Sequence, residues 1–201
     1  MHFWRLFILL LSLSAFVSQA QPYLEVQIVD SPEKRYRESF GWWTDICGDQ
    51  AIVGTYDQRN HEDGTPAGFA YIFERDSLDI WKVTQKISSP TPGLEHKEAF
   101  AERVLIDTHT VVITAFRHDY NVEGTSKSKD AGAAFIYEKD TTGKWTLAQK
   151  IVSPYRQFEG HFGNSIELQG DYLVIGSGGD RADVPSYHYR NTYVGAAYVY
   201  K

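Results

Sequence analysis

A single cysteine, Cys47, stands in 201 residues. No internal disulfide can form, although an exported protein would be free to use one. Nothing beside Cys47 in the sequence supplies the base or the positive charge that a catalytic thiolate needs, so it reads as a structural residue at a strand end. Helical periodicity is missing as well: no window longer than ten residues carries apolar positions at a spacing of three to four. Basic excess is missing too. The 20 Lys and Arg side chains fall short of the 26 Asp and Glu, and setting Arg5 of the leader aside (20 − 1) leaves 19, so no stripe of positive charge remains for nucleic acid or anionic lipid. The catalytic signatures are absent in their turn. There is no Gly-x-Ser-x-Gly elbow, no His-Glu-x-x-His, and Gly176-Ser177-Gly178-Gly179 lacks the lysine and helix of a phosphate loop. His61, His96, His109, His118, His161 and His188 fall in expected turns and loops without ligand spacing.

Residues 1–20 read as a removable leader. Arg5 precedes a nearly unbroken apolar run, Leu6 to Val17, and Ser18-Gln19-Ala20 offers the small residues that signal peptidase reads. The run is shorter than the roughly 20 residues a membrane span requires. Secretion is therefore the expected location, with the fold occupying 21–201.

That region is written three times. Phe40-Gly41, Phe100-Ala101 and Phe162-Gly163 open the units, and each is followed by an apolar strand: Ala51-Ile52-Val53-Gly54, Val111-Val112-Ile113-Thr114 and Leu173-Val174-Ile175-Gly176. Further on come Gly68-Phe69-Ala70-Tyr71-Ile72-Phe73, Gly132-Ala133-Ala134-Phe135-Ile136-Tyr137 and Gly195-Ala196-Ala197-Tyr198-Val199-Tyr200. Trp81-Lys82-Val83-Thr84-Gln85-Lys86-Ile87 and Trp145-Thr146-Leu147-Ala148-Gln149-Lys150-Ile151 each run on to Ser-Pro. Three anchors in register mean repeated supersecondary units. β-Branched and aromatic residues between glycine-rich breaks make those units strands. Four per unit fit: a over 41–46, b over 50–55, c over 68–75 and d over 80–87, then 101–106, 110–115, 132–139 and 145–151. Gly48-Asp49 and Gly170-Asp171 suit two-residue hairpins, with Asp107-Thr108-His109 in their place in the second unit. Small residues ahead of the aromatics in strand c suggest close sheet-to-sheet approach. The fold class is all-β, with propeller-like blades of four antiparallel strands at about 39–90, 99–154 and 161–201.

The combination of Phe-Gly, a Gly-Asp turn before Leu-Val-Ile-Gly, Gly-Ala-Ala-Tyr-Val-Tyr and Trp-x-x-x-Gln-Lys-Ile resembles the FG-GAP repeat of integrin α-chain-like β-propellers and their secreted relatives. The third copy matches best. The second departs most, with Ala101 and Thr114 where the others have glycine. The resemblance implies a secreted, adhesion-type binding module. In calcium-binding members it also implies a loop Asp-x-Asp-x-Asp-Gly-x-x-Asp whose oxygens hold the ion. Here the nearest match is Asp119, Asn121 and Glu123 before Gly124, with Asp130 at the twelfth place and Lys127 where the last aspartate belongs. The metal-free branch is the better fit, and no cofactor is expected.

Tyr23 to Pro32 aligns with strand d, so it is expected to act as a complementing outer strand for the last sheet. Three blades fall short of the usual four to eight. A longer product, two chains sharing a ring through self-association, and an open arc are the three ways to reconcile this.

The long polar segments 56–67, 116–131 and 178–194 all connect b to c and leave from one face, together with the d-to-a linkers 88–99 and 152–161. Long loops on a rigid scaffold are where binding is expected. Asp57, Asp119 and Asp180 recur just after strand b, either as channel-facing carboxylates or as caps of their own turns. Tyr187, His188, Tyr189 and Arg190 supply a recognition composition, which Arg117 and His118 can extend. The expectation is a non-catalytic module that binds an extracellular protein or glycan, with no nucleic-acid partner and no membrane span. A propeller hydrolase or lyase using the aligned aspartates, and a structural fragment of a larger surface protein, are the alternatives.

Overall fold

A computed structural model of the chain describes residues 23–34, 38–56, 68–91, 98–180 and 194–201. Those residues form strands and turns without any helix. β1 (Phe40–Cys47), β2 (Gln50–Tyr56), β3 (Gly68–Arg75) and β4 (Trp81–Ser88) pair in chain order as one antiparallel sheet. β5 (Phe100–Ile106), β6 (Thr110–Ala115), β7 (Ala133–Lys139) and β8 (Trp145–Ile151) make the second, and β9 (Phe162–Gln169), β10 (Tyr172–Ser177) and β11 (Ala196–Tyr200) the third. Each sheet is one repeat, and the strands expected from the repeated text recur within a residue or two.

Local chemistry explains the turns. Gly48 and Gly170 adopt φ of 58° and 54° in the a-to-b hairpins, a conformation glycine takes without a Cβ clash. In the c-to-d turns Asp76 Oδ1 accepts the N–H groups of Leu78 and Ile80, and Asp140 Oδ1 accepts those of Thr142 and Lys144. These are side chains standing in for missing backbone partners. The Phe-Gly pairs mark bulges: register slips between Phe40 and Trp43, and again between Phe100 and Val104. The residue after Phe takes positive φ in every copy, 85° at Gly41, 63° at Ala101 and 92° at Gly163.

The sheets stack face to face, because the period-two alternation of each strand makes both of its faces apolar. Ile52, Ala70, Ile72 and Ile87 of the first sheet bury against Val111, Ile113, Phe135 and Tyr137 of the second. Val112 and Ala134 on the second sheet's other face pack on Phe162, Leu173 and Ile175 of the third. Fully burying one such aliphatic side chain stabilises by about 1.5–3 kcal/mol. Two glycines per interface set the spacing. A Cβ on Gly68 would lie 2.0 Å from the Phe100 carbonyl oxygen, and one on Gly132 would lie 2.1 Å from that of Phe162. Gly54 similarly admits the Ala101 carbonyl.

A side-chain clamp adds to this contact. The Gln85 amide on β4 donates from Nε2 to the Trp145 carbonyl at 2.7 Å, and its Oε1 accepts the Trp145 N–H at 2.9 Å. Gln27 makes the same pair of bonds to Trp81, at 3.0 and 2.9 Å. Residues 23–30 thus stand one blade before the first sheet, in the place of a strand d, and Val29 packs beside Phe69 and Tyr71. Among the described residues this segment pairs with no strand. It lies at the first sheet rather than on the open side of the third.

Candidate functional site

Strand direction gathers the b-to-c loops and d-to-a connectors at one end of the stack. Of the loops, 116–131 is described throughout, and it is pinned to the connector 152–161. The Arg156 guanidinium donates to the Asp119 carbonyl at 2.7 Å and the Ser126 carbonyl at 3.1 Å. Glu159 N–H donates to the Lys129 carbonyl at 2.8 Å, and His161 N–H to that of Asp130 at 2.9 Å. The Lys150 ammonium, its pKa lowered by burial, donates to the Asn121 carbonyl at 2.7 Å. Burial likewise lowers the His161 pKa, although Asp130 and Glu159 pull it upward.

The carboxylates expected to line the site hold the loops together. Asp119 Oδ1 accepts the Asp130 N–H at 2.7 Å, and its Oδ2 lies 3.3 Å from the Lys127 ammonium. Asp180 is buried. It accepts from Gln157 Nε2 at 2.7 Å, from Ser153 Oγ at 3.5 Å and from the Tyr198 hydroxyl. Burial, reinforced by that bond, pushes the Tyr198 pKa up to about 12. The Asp180 carbonyl also accepts the N–H groups of Val194 and Gly195, closing the base of the third loop.

The residues considered for calcium are engaged in the same way. Asn121 Oδ1 accepts from Thr125 and Ser126 N–H, while its amide donates to Glu123 Oε2 at 2.8 Å. The Asp130 carboxylate lies 3.4 Å from the Lys129 ammonium. Among the described residues no three His, Cys, Asp or Glu side chains converge as an ion would require. Lys127 puts an ammonium beside Asp119, where calcium coordination would need another oxygen.

Arg117 is exposed, its guanidinium 5.2 Å from the Phe116 ring centroid. His118 does not share that surface. It is fully buried, with Nδ1 3.0 Å from Glu98 Oε1 and its ring edge-on to Phe135. Asp57, Tyr187, His188, Tyr189 and Arg190 lie outside the described residues.

Two features went unread in the sequence. One is the buried carboxylate held by each Ser-Pro serine: Glu38 accepts from Ser31 Oγ at 2.5 Å, Glu98 from Ser89 Oγ at 3.1 Å, and Asp180 takes the role with Ser153. Glutamate two places before Phe40 and Phe100 was the available signal, and Gly160 at the third such position explains why Asp180 substitutes. The other is the pair of aromatics on the connector 152–161, Tyr155 and Phe158, which stand 58% and 51% exposed, with the Lys129 ammonium 5.2 Å from the Phe158 ring. Away from this face, a cavity of about 290 Å³ opens beside the c-to-d turns, among Glu74, Gln85, Lys144 and Trp145.

No curated protein matches the chain. Residues 145–200, from the start of β8 to the end of β11, are similar to the family described as FG-GAP repeat.

Proposed function

We propose that the chain is a secreted, non-catalytic binding module of β-propeller type, which recognises an extracellular protein or glycan through the face of b-to-c loops and d-to-a connectors. One observation carries the reading: Tyr155 and Phe158 project from a connector that is stitched to the neighbouring loop by the Arg156, Glu159 and His161 bonds. Rigidly held aromatic rings beside cationic side chains give large contact area at small entropic cost, and a ring face also stacks on the apolar face of a sugar. Asp119 and Asp180 are committed to structural bonds, which favours binding over hydrolysis.

The test applies the purified chain to an array of glycans and extracellular domains, beside the double variant Tyr155→Ala/Phe158→Ala. The expected result is capture by the wild type that drops at least tenfold in the variant at an unchanged melting temperature. Equal capture by both proteins, or none by the wild type, would overturn the reading.

A further inference from the structure

We propose that the outer face and free edge of the third sheet are a docking site for a second copy of this chain, which adds its residues 23–29 to β11 as a fourth strand. Three independent features of the third sheet point to one occupant.

The first is the face. Val112 and Ala134 of the second sheet are fully buried by the sheet that follows. Their counterparts on the third, Val174 and Ala197, point the same way. There Val199 is 67% exposed and Ala197 lies open to solvent. Such a surface is the stacking surface of the other two sheets, left uncovered.

The second is the pair of glycines. Gly68 and Gly132 lie under the Phe100 and Phe162 carbonyls of the next unit. Gly195, with φ of 76°, is their equivalent, yet its nearest neighbours are Ser177 and Gly178 of its own sheet, at 3.6 Å or more. Gly41, beside Phe40, has nothing within 4 Å of its Cβ position. A Phe-Gly pair is thus available to enter the space that Gly195 leaves.

The third is the clamp. Gln27 holds Trp81 and Gln85 holds Trp145, each on the following strand d. Gln149 on β8 is the next in the series. Its backbone pairs with Ile136 in the β7–β8 ladder, but its side chain is exposed and, among the described residues, makes no hydrogen bond. Its natural target is a residue four places before a glutamine and eight before Ser-Pro. Tyr23 meets both conditions, and the segment it opens is itself an unpaired strand d.

Register follows from the other two sheets. Ala70 faces Ile87 and Ala134 faces Ile151, while Ile72 faces Gln85 and Ile136 faces Gln149. Ala197 must then face Val29, and Val199 must face Gln27. Backbone bonds give such edge additions their affinity and the alternating side chains their specificity. Two copies joined head to tail at both ends make six blades, a ring size that propellers adopt.

The test is made in a Cys47→Ser background. A chain carrying Ala197→Cys is mixed with one carrying Val29→Cys, so the mixed disulfide can form only between copies. Light scattering is expected to give twice the mass of one chain, and the mixture is expected to yield the mixed disulfide. Replacing Val29→Cys with Leu24→Cys is expected to yield none. Gln149→Ala is expected to raise the dimer dissociation constant about tenfold per interface, the effect of losing roughly one net hydrogen bond's stabilisation. A monomer at micromolar concentration overturns the proposal. So does a dimer that links through Leu24, or one that is indifferent to Gln149→Ala.

Discussion

Thr114 stands where the first and third repeats have Gly54 and Gly176, and its presence has a cost. Its side chain is fully buried, and among the described residues its Oγ1 finds no hydrogen-bond partner. Leaving one buried hydroxyl unsatisfied costs about 1–3 kcal/mol. The bulk is accommodated because Gly163 of the next repeat lies against it, where a Cβ would come within 3.0 Å of the Thr114 Cβ. Here the roles have exchanged: glycine is spent on the opposite side of the interface. Ala101 shows the complementary departure, holding φ of 63° where its counterparts are glycine. Thr114→Val keeps the branched shape and removes the orphaned hydroxyl, so it is expected to stabilise the protein by about 1 kcal/mol. Urea denaturation with an unchanged m-value checks this. Destabilisation by the valine would mean that the hydroxyl has a partner after all.

The elements owe their docking to side chains that the repeat makes recognisable. Strand positions were legible because the alternation, the Gly-Asp turns and the Phe-Gly pairs are local signals, and each does the same physical work in every copy. The stacking order was legible for the same reason, since small residues before the aromatics of strand c admit the next sheet. The site was harder to read. Asp119 and Asp180 align in sequence, yet one bonds a backbone N–H and pairs with Lys127 while the other is buried under Tyr198. Alignment cannot tell which partners a long loop brings back. His118 read as a solvated loop residue, but Glu98, from a different connector, draws it inside. The clamp was present in the text as the glutamine of Gln-Lys-Ile, but its partner lies 60 residues away. Gln85→Ala strands the Trp145 N–H and carbonyl at a half-buried interface, and is expected to cost about 1–3 kcal/mol. In a domain of this size that lowers Tm by about 2–4 °C per kcal/mol. Gln149→Ala, measured in dilute protein, is expected to leave Tm unchanged. Equal shifts in the two variants would mean that the amide acts within its own sheet.

At the scale of the molecule, stability in a stack of repeats is a sum of unit and interface terms, and the units here are unequal. The second sheet is covered on both faces: Val111, Val112, Ile113, Ala134 and Phe135 are all inaccessible to solvent. The third is covered on one face only, and Tyr172 and Val199 remain more than half exposed. Opening free energies vary across a fold with such differences in burial. Amide hydrogen exchange in dilute protein is therefore expected to be slowest in β6 and β7 and distinctly faster in β10 and β11. Raising the concentration through the range of association is expected to slow β11 and the segment 23–29 together while β6 keeps its rate, because only those two edges gain backbone partners. Protection that is uniform across all three sheets, or that fails to rise in both edges at once, would show that the repeats do not behave as separable layers with one open side.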